Sequence, residues 1–206
     1  MPGQILGLEE ETEAIREALQ NPIGSPPLAK MVTPNSKVLV THSDITRATP
    51  NDRILPTLLE ELEILGVQRE NITLLNGLGT HRPQTDAELR TMLGDYIVEN
   101  YTCLQHDAFN DEILVPVGVT SRGNPARLNN LLLVADLVIL TGFIEPHLFA
   151  GFSGGPKGIL PALAGFESVE SNHNATMIGH PKATFGITQG NPIWEEMLEI
   201  ALMVPR

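Results

Sequence analysis

The sequence predicts an α/β protein with a Rossmann-like layered fold, in which a mostly parallel sheet carries helices on both faces. Short apolar runs of β-strand character alternate along the 206-residue chain with stretches whose apolar residues recur at helical spacing. Polar loops, several of them rich in glycine, follow the strand-like runs. This order of strand, loop and helix is typical of open α/β sheets. We therefore expect residues 1–206 to form a single α/β domain.

The first third of the chain contains two predicted helices and one predicted strand. Residues 9–20 have helix-forming composition, with acidic side chains in the first turn. Residues 37–41 are apolar and rich in valine, which indicates a strand. Apolar residues at helical spacing then predict a helix over 53–66, with Pro56 near its first turn and Gly66 at its carboxyl end.

The middle of the chain continues the alternation. A second strand is predicted at 71–75. Thr85 and Glu88 have the spacing of a capping box, which marks the start of the next helix. Further short strands are predicted at 101–105 and 113–119.

The last part of the chain contains one predicted strand among helices. Residues 125–133 read as a helix, and the apolar run at 137–140 reads as a buried strand. A glycine-rich loop and a short helix over 159–165 follow. Two more helices are predicted over 167–179 and 192–204.

Composition narrows the class of protein. A hydrophobic fraction of 42% and a charged fraction of 18% are ordinary for a soluble globular protein, and the net charge of −12 argues against nucleic-acid or anionic-membrane partners. Cys103 is the one cysteine, so an intrachain disulfide and a cysteine metal cluster are excluded. The start of the chain lacks the apolar segment of a secretory signal, and the run 131–144 is too short to span a bilayer. We expect a cytoplasmic protein without a membrane partner.

Three loops that follow predicted strands carry unusual polar residues. In chain order these residues are Asp44 and Arg47, then His81, then His147, Ser153 and Lys157. Because the carboxyl ends of parallel strands meet at one edge of a sheet, we expect the three loops to converge on one pocket.

Each of these residues also has a structural interpretation. Asp44 could cap a turn, and His81 or His147 could be a structural histidine with satisfied hydrogen bonds. Lys157 could be an exposed lysine in a glycine-rich turn. It could also act as a nucleophile or a covalent tether if its loop is desolvated. The sequence lacks both the P-loop motif and the GxGxxG fingerprint, so neither standard nucleotide site is predicted.

Four segments, taken together and in this order, resemble the nickel-pincer lactate racemase family. They are SDITRATP at 43–50, GLGTHRP at 77–83, PHLFAGFSGGPKGILPALAG at 146–165 and SNHNA at 171–175. Members of that family have an N-terminal α/β domain and a C-terminal domain, with the cofactor held between them. The resemblance implies that this chain corresponds to the N-terminal domain.

The resemblance also implies a cofactor and the residues that hold it. The cofactor is a nickel-pincer nucleotide, pyridinium-3-thioamide-5-thiocarboxylic acid mononucleotide nickel, attached through a thioamide to the position of Lys157. His173 matches the histidine that completes the nickel coordination, and an imidazole donor in a square-planar site suits Ni(II). Loop chemistry adds Ser153, Gly154 and Gly155 as a cradle for the cofactor phosphate. Enzymes that synthesise the cofactor are implied partners.

The implied reaction is the racemisation or epimerisation of a small 2-hydroxy acid of the lactate type. His81 and His147 match the acid/base pair, Arg47 matches a substrate-contacting residue, and Asp44 belongs to the same motif. The Cα–H of such a substrate is too weak an acid for a side-chain base, whereas hydride transfer to the nucleotide avoids that barrier. Two histidines then take and return the hydroxyl proton for the two enantiomers.

The chain is about half as long as such racemases, so the family's C-terminal domain is expected to be absent from it. We therefore expect the isolated chain to racemise weakly or not at all, because its pocket stays open to water. Two alternatives remain open at this point. One is a hydrolase with a metal held by His81, His147 and His173. The other is a non-catalytic Rossmann-like module that binds a phosphate-bearing ligand.

Overall fold

A computed structural model describes residues 7–205 of the chain. The strands are β1 (Val38–Ser43), β2 (Ile72–Gly77), β3 (Thr102–Gln105), β4 (Leu114–Val119), β5 (Pro125–Asn129), β6 (Leu137–Leu140), β7 (Pro146–His147) and β8 (Gly151–Phe152). The helices are α1 (Glu11–Gln20), α2 (Asn51–Ile64), α3 (Asp86–Leu93), α4 (Asp95–Asn100), α5 (Leu131–Val134), α6 (Phe166–Asn172), α7 (Ala175–Ile178) and α8 (Pro192–Ala201). Short 3₁₀ turns lie at Leu28–Lys30, Arg69–Asn71, Asp111–Ile113 and Gly155–Gly158.

The central sheet has four strands in the order β3-β2-β1-β6, and all of them are parallel. Val38 of β1 pairs with Ile72 of β2 and with Leu137 of β6, so the three strands start level with one another. Their carboxyl ends therefore reach the same edge of the sheet. This arrangement confirms the predicted α/β fold with a parallel sheet.

One face of the sheet packs against the helices of the first half of the chain. Val40 and Leu74 project from the sheet and lie in one buried cluster with Leu55 and Leu59 of α2 and Ile97 of α4. Each fully buried leucine contributes about 1.5–3 kcal/mol relative to an exposed one. This cluster holds α2 beneath the loop that follows β1.

The two helix ends that the sequence predicts in this layer are confirmed. Gly66 has a φ of +91°, and its N–H donates to the carbonyl of Glu63 at 2.9 Å while the N–H of Val67 donates to that of Leu62 at 3.0 Å. These two bonds terminate α2 as a Schellman motif. At the start of α3, Thr85 and Glu88 form the reciprocal bonds of a capping box.

The other face of the sheet is covered by α8, by the antiparallel hairpin β4–β5 and by the segment after the 3₁₀ turn at 155–158. Leu39 and Leu75 of the sheet share a buried cluster with Leu160, Ile193 and Met197. This second core fastens the glycine-rich loop to the sheet and to α8, which matters for the site below.

Three predicted helices differ from the structure. Residues 125–133 were predicted as one helix, but Pro125–Asn129 is strand β5, which pairs with β4, and only Leu131–Val134 is helical. An isolated apolar run carries no information about such a distant partner. The segment 159–165 forms turns instead of a helix, and Ala164 pairs with Leu128 in an isolated antiparallel bridge.

The predicted helix over 167–179 is divided into α6 and α7. Asn174 separates them, because its side chain accepts a hydrogen bond from the N–H of Met177 at 3.0 Å and so begins α7. The division places His173 at the carboxyl end of α6. Between residues 7 and 205, no helix has the length and hydrophobicity needed to cross a bilayer.

Candidate functional site

The carboxyl ends of β1, β2 and β6 open into a cavity of about 420 Å³, a volume within the range of small-molecule sites. The three loops predicted to converge do meet here. The predicted site residues that line the cavity are Asp44, Arg47, His81, His147, Ser153, Gly154, Lys157 and His173. Gly155 lines a smaller neighbouring cavity together with Gly154.

Asp44 lies directly behind His81. It is 3% exposed, and its Oδ1 accepts hydrogen bonds from the backbone N–H of Thr46 at 3.0 Å and from the hydroxyl of Thr46 at 2.6 Å. Its Oδ2 is in contact with Nδ1 of His81. Burial raises the pKa of Asp44, but the bonds from Thr46 and His81 outweigh burial and hold that pKa below its usual value.

The contact with Asp44 assigns the tautomer of His81. A carboxylate accepts only, so Nδ1 of the imidazole carries a proton, and in the neutral form of the ring Nε2 holds the lone pair. The side chain of His81 is 47% exposed, and the residue lines the cavity. Asp44 was predicted to contact substrate, which stays a prediction; its observed partners are Thr46 and His81.

His147 belongs to the short hairpin β7–β8, where it pairs with Gly151. Its Nδ1 accepts a hydrogen bond from the backbone N–H of Ala150 at 3.2 Å. Burial, together with the smaller effect of the charges of Lys157 and Arg47, lowers the pKa of His147 to about 4. The imidazole is therefore neutral near pH 7, with its remaining proton on Nε2.

The ring of Phe149 lies between the imidazoles of His147 and His173. The centroid of Phe149 is 5.0 Å from that of His147 and 5.6 Å from that of His173, and both contacts are edge-to-face. Nδ1 of His173 donates to the carbonyl of Val169 at 3.1 Å, so its Nε2 is the nitrogen that remains for a ligand. Burial lowers the pKa of His173, and the Val169 carbonyl partly offsets that effect.

Lys157 lies in the 3₁₀ turn Gly155–Gly158 and is partly buried in the cavity wall. Burial lowers the pKa of its amine to about 8, and the guanidinium of Arg47 contributes to the decrease. The carboxylates of Glu145 and Asp44 act in the opposite direction. A lysine with this pKa presents an appreciable fraction of neutral, nucleophilic amine near neutral pH.

The loop before Lys157 has backbone conformations that favour glycine. Gly154 has a φ of +79° and Gly155 a φ of +54°, and a Cβ on Gly154 would lie 3.1 Å from a side-chain carbon of Ile144. The hydroxyl of Ser153 is buried and has no hydrogen-bond partner among residues 7–205. A buried donor without a partner costs free energy, so this hydroxyl suits a ligand with acceptor oxygens.

Gly151 permits the close approach on which the hairpin of His147 depends. Its φ is +81°, and a Cβ at this position would lie 2.2 Å from the carbonyl oxygen of Ile187. Gly151→Ala is expected to destabilise the protein by clearly more than the ~1–2 kcal/mol that a left-handed alanine costs, because the Ile187 backbone must also move. Urea unfolding measures the difference.

Gly123→Ala is the matched control for Gly151→Ala. Gly123 has a φ of +83°, but nothing lies within 4 Å of a Cβ placed there. Equal losses of stability in the two variants would contradict the expected clash with Ile187.

Some residues near the predicted motifs lie outside the site, and others were missed. Arg82 pairs with Glu88 at 2.6 Å instead of facing the cavity. Within residues 7–205, no three histidine, cysteine, aspartate or glutamate side chains are grouped closely enough to hold a metal ion by themselves. Phe149 lines the cavity but was not predicted, and Glu145, a polar residue of the same loop that was given no role, lines it as well. Their positions within two residues of His147 were the available signal.

Fold and site together define an α/β domain that gathers several imidazoles, among them those of His81, His147 and His173, and the amine of Lys157 at the carboxyl edge of a parallel sheet. Residues 2–186 match the family described as the lactate racemase N-terminal domain. The chain therefore belongs to that family.

Curated relatives with this similarity include the lactate racemases of Thermoanaerobacterium thermosaccharolyticum and of Lactiplantibacillus plantarum. Each is 36% identical over 191 residues, which cover 93% of this chain and 45% of the relative. The chain thus spans about half the length of the curated relatives it matches.

Solved structures show the same relationship. The lactate racemase apoprotein from Thermoanaerobacterium thermosaccharolyticum superposes with a TM-score of 0.89 at 35% identity, over 94% of this chain and 46% of that chain. A crystal structure of a protein from Thermotoga maritima superposes with a TM-score of 0.76 at 27% identity, over 99% of this chain and 49% of that chain.

Proposed function

We propose that this chain is the cofactor-carrying N-terminal domain of a nickel-dependent racemase or epimerase of 2-hydroxy acids. One observation carries the proposal: a chain of the lactate racemase N-terminal family brings His81, His147, His173 and Lys157 to a single cavity. The family membership supplies the reaction class. The cavity supplies groups of the kinds that such a reaction needs.

The residues of the cavity fit a nickel-pincer nucleotide. The amine of Lys157, with a pKa of about 8, suits covalent attachment. The unpartnered hydroxyl of Ser153 and the backbone of Gly154 suit the phosphate. Nε2 of His173, left free by the bond from Nδ1 to Val169, suits nickel.

When bound, this nucleotide supplies an acceptor for the Cα hydrogen of the substrate as hydride. The protein then has to bind the substrate and move its hydroxyl proton. Arg47 presents an exposed guanidinium at the cavity, a group that suits a carboxylate through paired hydrogen bonds. The free Nε2 lone pair of His81 takes the hydroxyl proton, and Asp44 stabilises the imidazolium that results.

His147 is assigned to the opposite enantiomer. Its Nδ1 accepts from the N–H of Ala150, so Nε2 carries the proton of the neutral imidazole and is the atom that would exchange a proton with the substrate oxygen. Burial, and to a smaller extent the charges of Lys157 and Arg47, lower the pKa of His147 to about 4 in the cofactor-free chain. A thioamide at Lys157 would carry no charge, so attachment of the nucleotide would remove one of the smaller causes of this lowered pKa.

A second domain is expected to close the cavity in the complete enzyme. The relatives are about twice as long as this chain. Apolar side chains stand exposed beside the cavity, with Phe143 at 41%, Ile144 at 77% and Leu148 at 62%. We expect the isolated domain to load cofactor but to turn over weakly, since water has access to the site.

Loading of the cofactor is the first experiment. The chain is produced together with the enzymes that synthesise the nucleotide, and its intact mass and nickel content are measured. The expected result is one adduct, mapped by peptide mass to Lys157, and about one nickel per adduct. The lactate racemase of Thermoanaerobacterium thermosaccharolyticum, produced in the same host, is the positive control. A loaded control beside an unmodified Lys157 would overturn the proposal.

Neither alternative reading is favoured by an observation. A hydrolase with a three-histidine metal site needs His81, His147 and His173 grouped around one ion, and the described part of the chain contains no such group. A non-catalytic phosphate-binding module would not need the ordered Asp44–His81 pair. The loading experiment distinguishes these alternatives from the racemase.

A further inference from the structure

Helix α8 carries a buried carboxylate that the proposed reaction does not use. Glu196 is 1% exposed, and it forms no ion pair with a residue in the range 7–205. A buried acidic side chain is costly unless hydrogen bonds compensate for its lost solvation. The burial of the Glu196 carboxylate therefore indicates a specific role for this side chain. We propose that Glu196 is a positioning residue, which holds the end of α6 so that His173 faces the cavity; this inference rests on the proposed function of His173.

Three neutral donors from two segments of the chain surround the carboxylate of Glu196. Its Oε1 accepts from the hydroxyl of Thr120 at 2.8 Å and from the side-chain amide of Asn124 at 2.7 Å. Its Oε2 accepts from the side-chain amide of Asn172 at 2.9 Å. Glu196 thus joins the turn of the hairpin β4–β5 to the last residue of α6.

Asn172 transmits this constraint to His173, which is the next residue. The side chain of Asn172 is fully buried, and its amide also donates to the carbonyl of Ile193 in α8 at 3.2 Å. The last turn of α6 is therefore tied to α8 at two points. Because α6 is only seven residues long, these ties hold the backbone from which His173 projects, while the Val169 carbonyl and the ring of Phe149 orient its imidazole.

The same helix supports the other two parts of the cavity. The amide of Asn191, the N-cap of α8, donates to the carbonyl of Phe149 at 2.9 Å and so holds the loop that follows His147. The ring of Trp194 lies against Gly155, in the turn that carries Lys157. Helix α8 begins after residue 186, where the family match ends. It nevertheless contacts the supports of all three groups.

Glu196→Gln tests the inference with little change of shape. With its oxygen retained by the two donors of the β4–β5 turn, the new side chain presents its NH2 to the NH2 of Asn172, and the bond to α6 is lost. Hydrogen exchange is measured by NMR on the cofactor-free protein. The backbone N–H of His173, which donates to Val169, is expected to exchange at least about tenfold faster, while the N–H groups of β1 keep their protection.

Glu199→Gln is the matched control on the same helix. Glu199 accepts from the backbone N–H and the hydroxyl of Ser121 at 2.6 and 2.8 Å, but it makes no bond to α6. We expect this variant to leave the exchange of His173 unchanged. Equal exchange at His173 in the two variants would overturn the inference, and so would a uniform acceleration that includes β1, since that pattern signals a general loss of stability.

The loaded protein provides a second readout. Glu196→Gln is expected to keep the Lys157 adduct at the wild-type level but to release nickel to a chelator about tenfold faster. Unchanged release would count against the inference. If the wild-type chain takes up no nickel, the proposed function fails, whereas the exchange result still decides the role of Glu196.

Asn172→Ala removes the same bond from the α6 side. Hydrogen exchange at the N–H of His173 is measured in this variant as well. Its result decides the role of the Glu196–Asn172 bond if Glu196→Gln does not fold. A localised acceleration at His173 is required for the inference to stand.

Discussion

Lys157→Arg is expected to abolish covalent loading and to lower racemisation by at least ~10³-fold, since no other lysine among residues 7–205 lines the cavity. Arginine keeps the positive charge and much of the length, but it does not lose its proton in proteins. Loading is measured by intact mass. Racemisation is measured in a chimera in which this chain replaces the matching half of the Thermoanaerobacterium thermosaccharolyticum lactate racemase.

Lys182→Arg is the matched control for Lys157→Arg. Lys182 is exposed and does not line the cavity. The same substitution there is expected to change neither the adduct nor the rate. An adduct that persists in Lys157→Arg would show that attachment occurs at another residue and would contradict the assigned role.

The lowered pKa of Lys157 makes the attachment dependent on pH in a defined direction. With a pKa of about 8, the neutral amine rises from roughly 1% at pH 6 to roughly half at pH 8, so the attachment rate should rise about fiftyfold over this interval. The charge of Arg47 contributes to the lowered pKa. Arg47→Gln should therefore raise the pKa and move the profile to higher pH.

The convergence of the site could be predicted from the sequence because it depends on topology. Once the strands are recognised as parallel, Asp44, His81 and His147 must emerge at the same edge. That conclusion needs only the order of strand and loop along the chain. It does not need the exact ends of any element, which are the part of a sequence-based prediction most open to error.

Contacts between distant residues could not be predicted in this way. The bond between Asn172 and Glu196 has no local signature, and neither has the pairing of β5 with β4 that made a strand of a predicted helix. The contact of Asp44 with His81 joins residues 37 positions apart. Each of these contacts depends on which side chains the complete fold brings together. The roles of these residues can therefore be inferred only from the three-dimensional structure.

Asp44 and His81 are expected to act as one unit. In the chimera, His81→Gln should lower kcat by about 10²–10⁴-fold, because it removes the group that takes the hydroxyl proton. Asp44→Asn keeps the shape of the side chain but offers an amide to Nδ1 of His81, which favours the wrong tautomer. We expect a loss of kcat of about 10²-fold or more with little change in KM.

The double variant distinguishes a positioning role of Asp44 from direct contact with substrate. Racemisation has an equilibrium constant of one, so kcat/KM must fall equally for both enantiomers and cannot separate the two roles. The loss of kcat in the double variant can separate them. Residues that act together give a combined loss close to that of the larger single variant, whereas independent residues give additive losses of free energy. Arg82→Gln, next to His81 but paired with Glu88 away from the cavity, is the control and should stay near wild-type activity. Additive losses, with KM raised by Asp44→Asn, would instead place the carboxylate on the substrate.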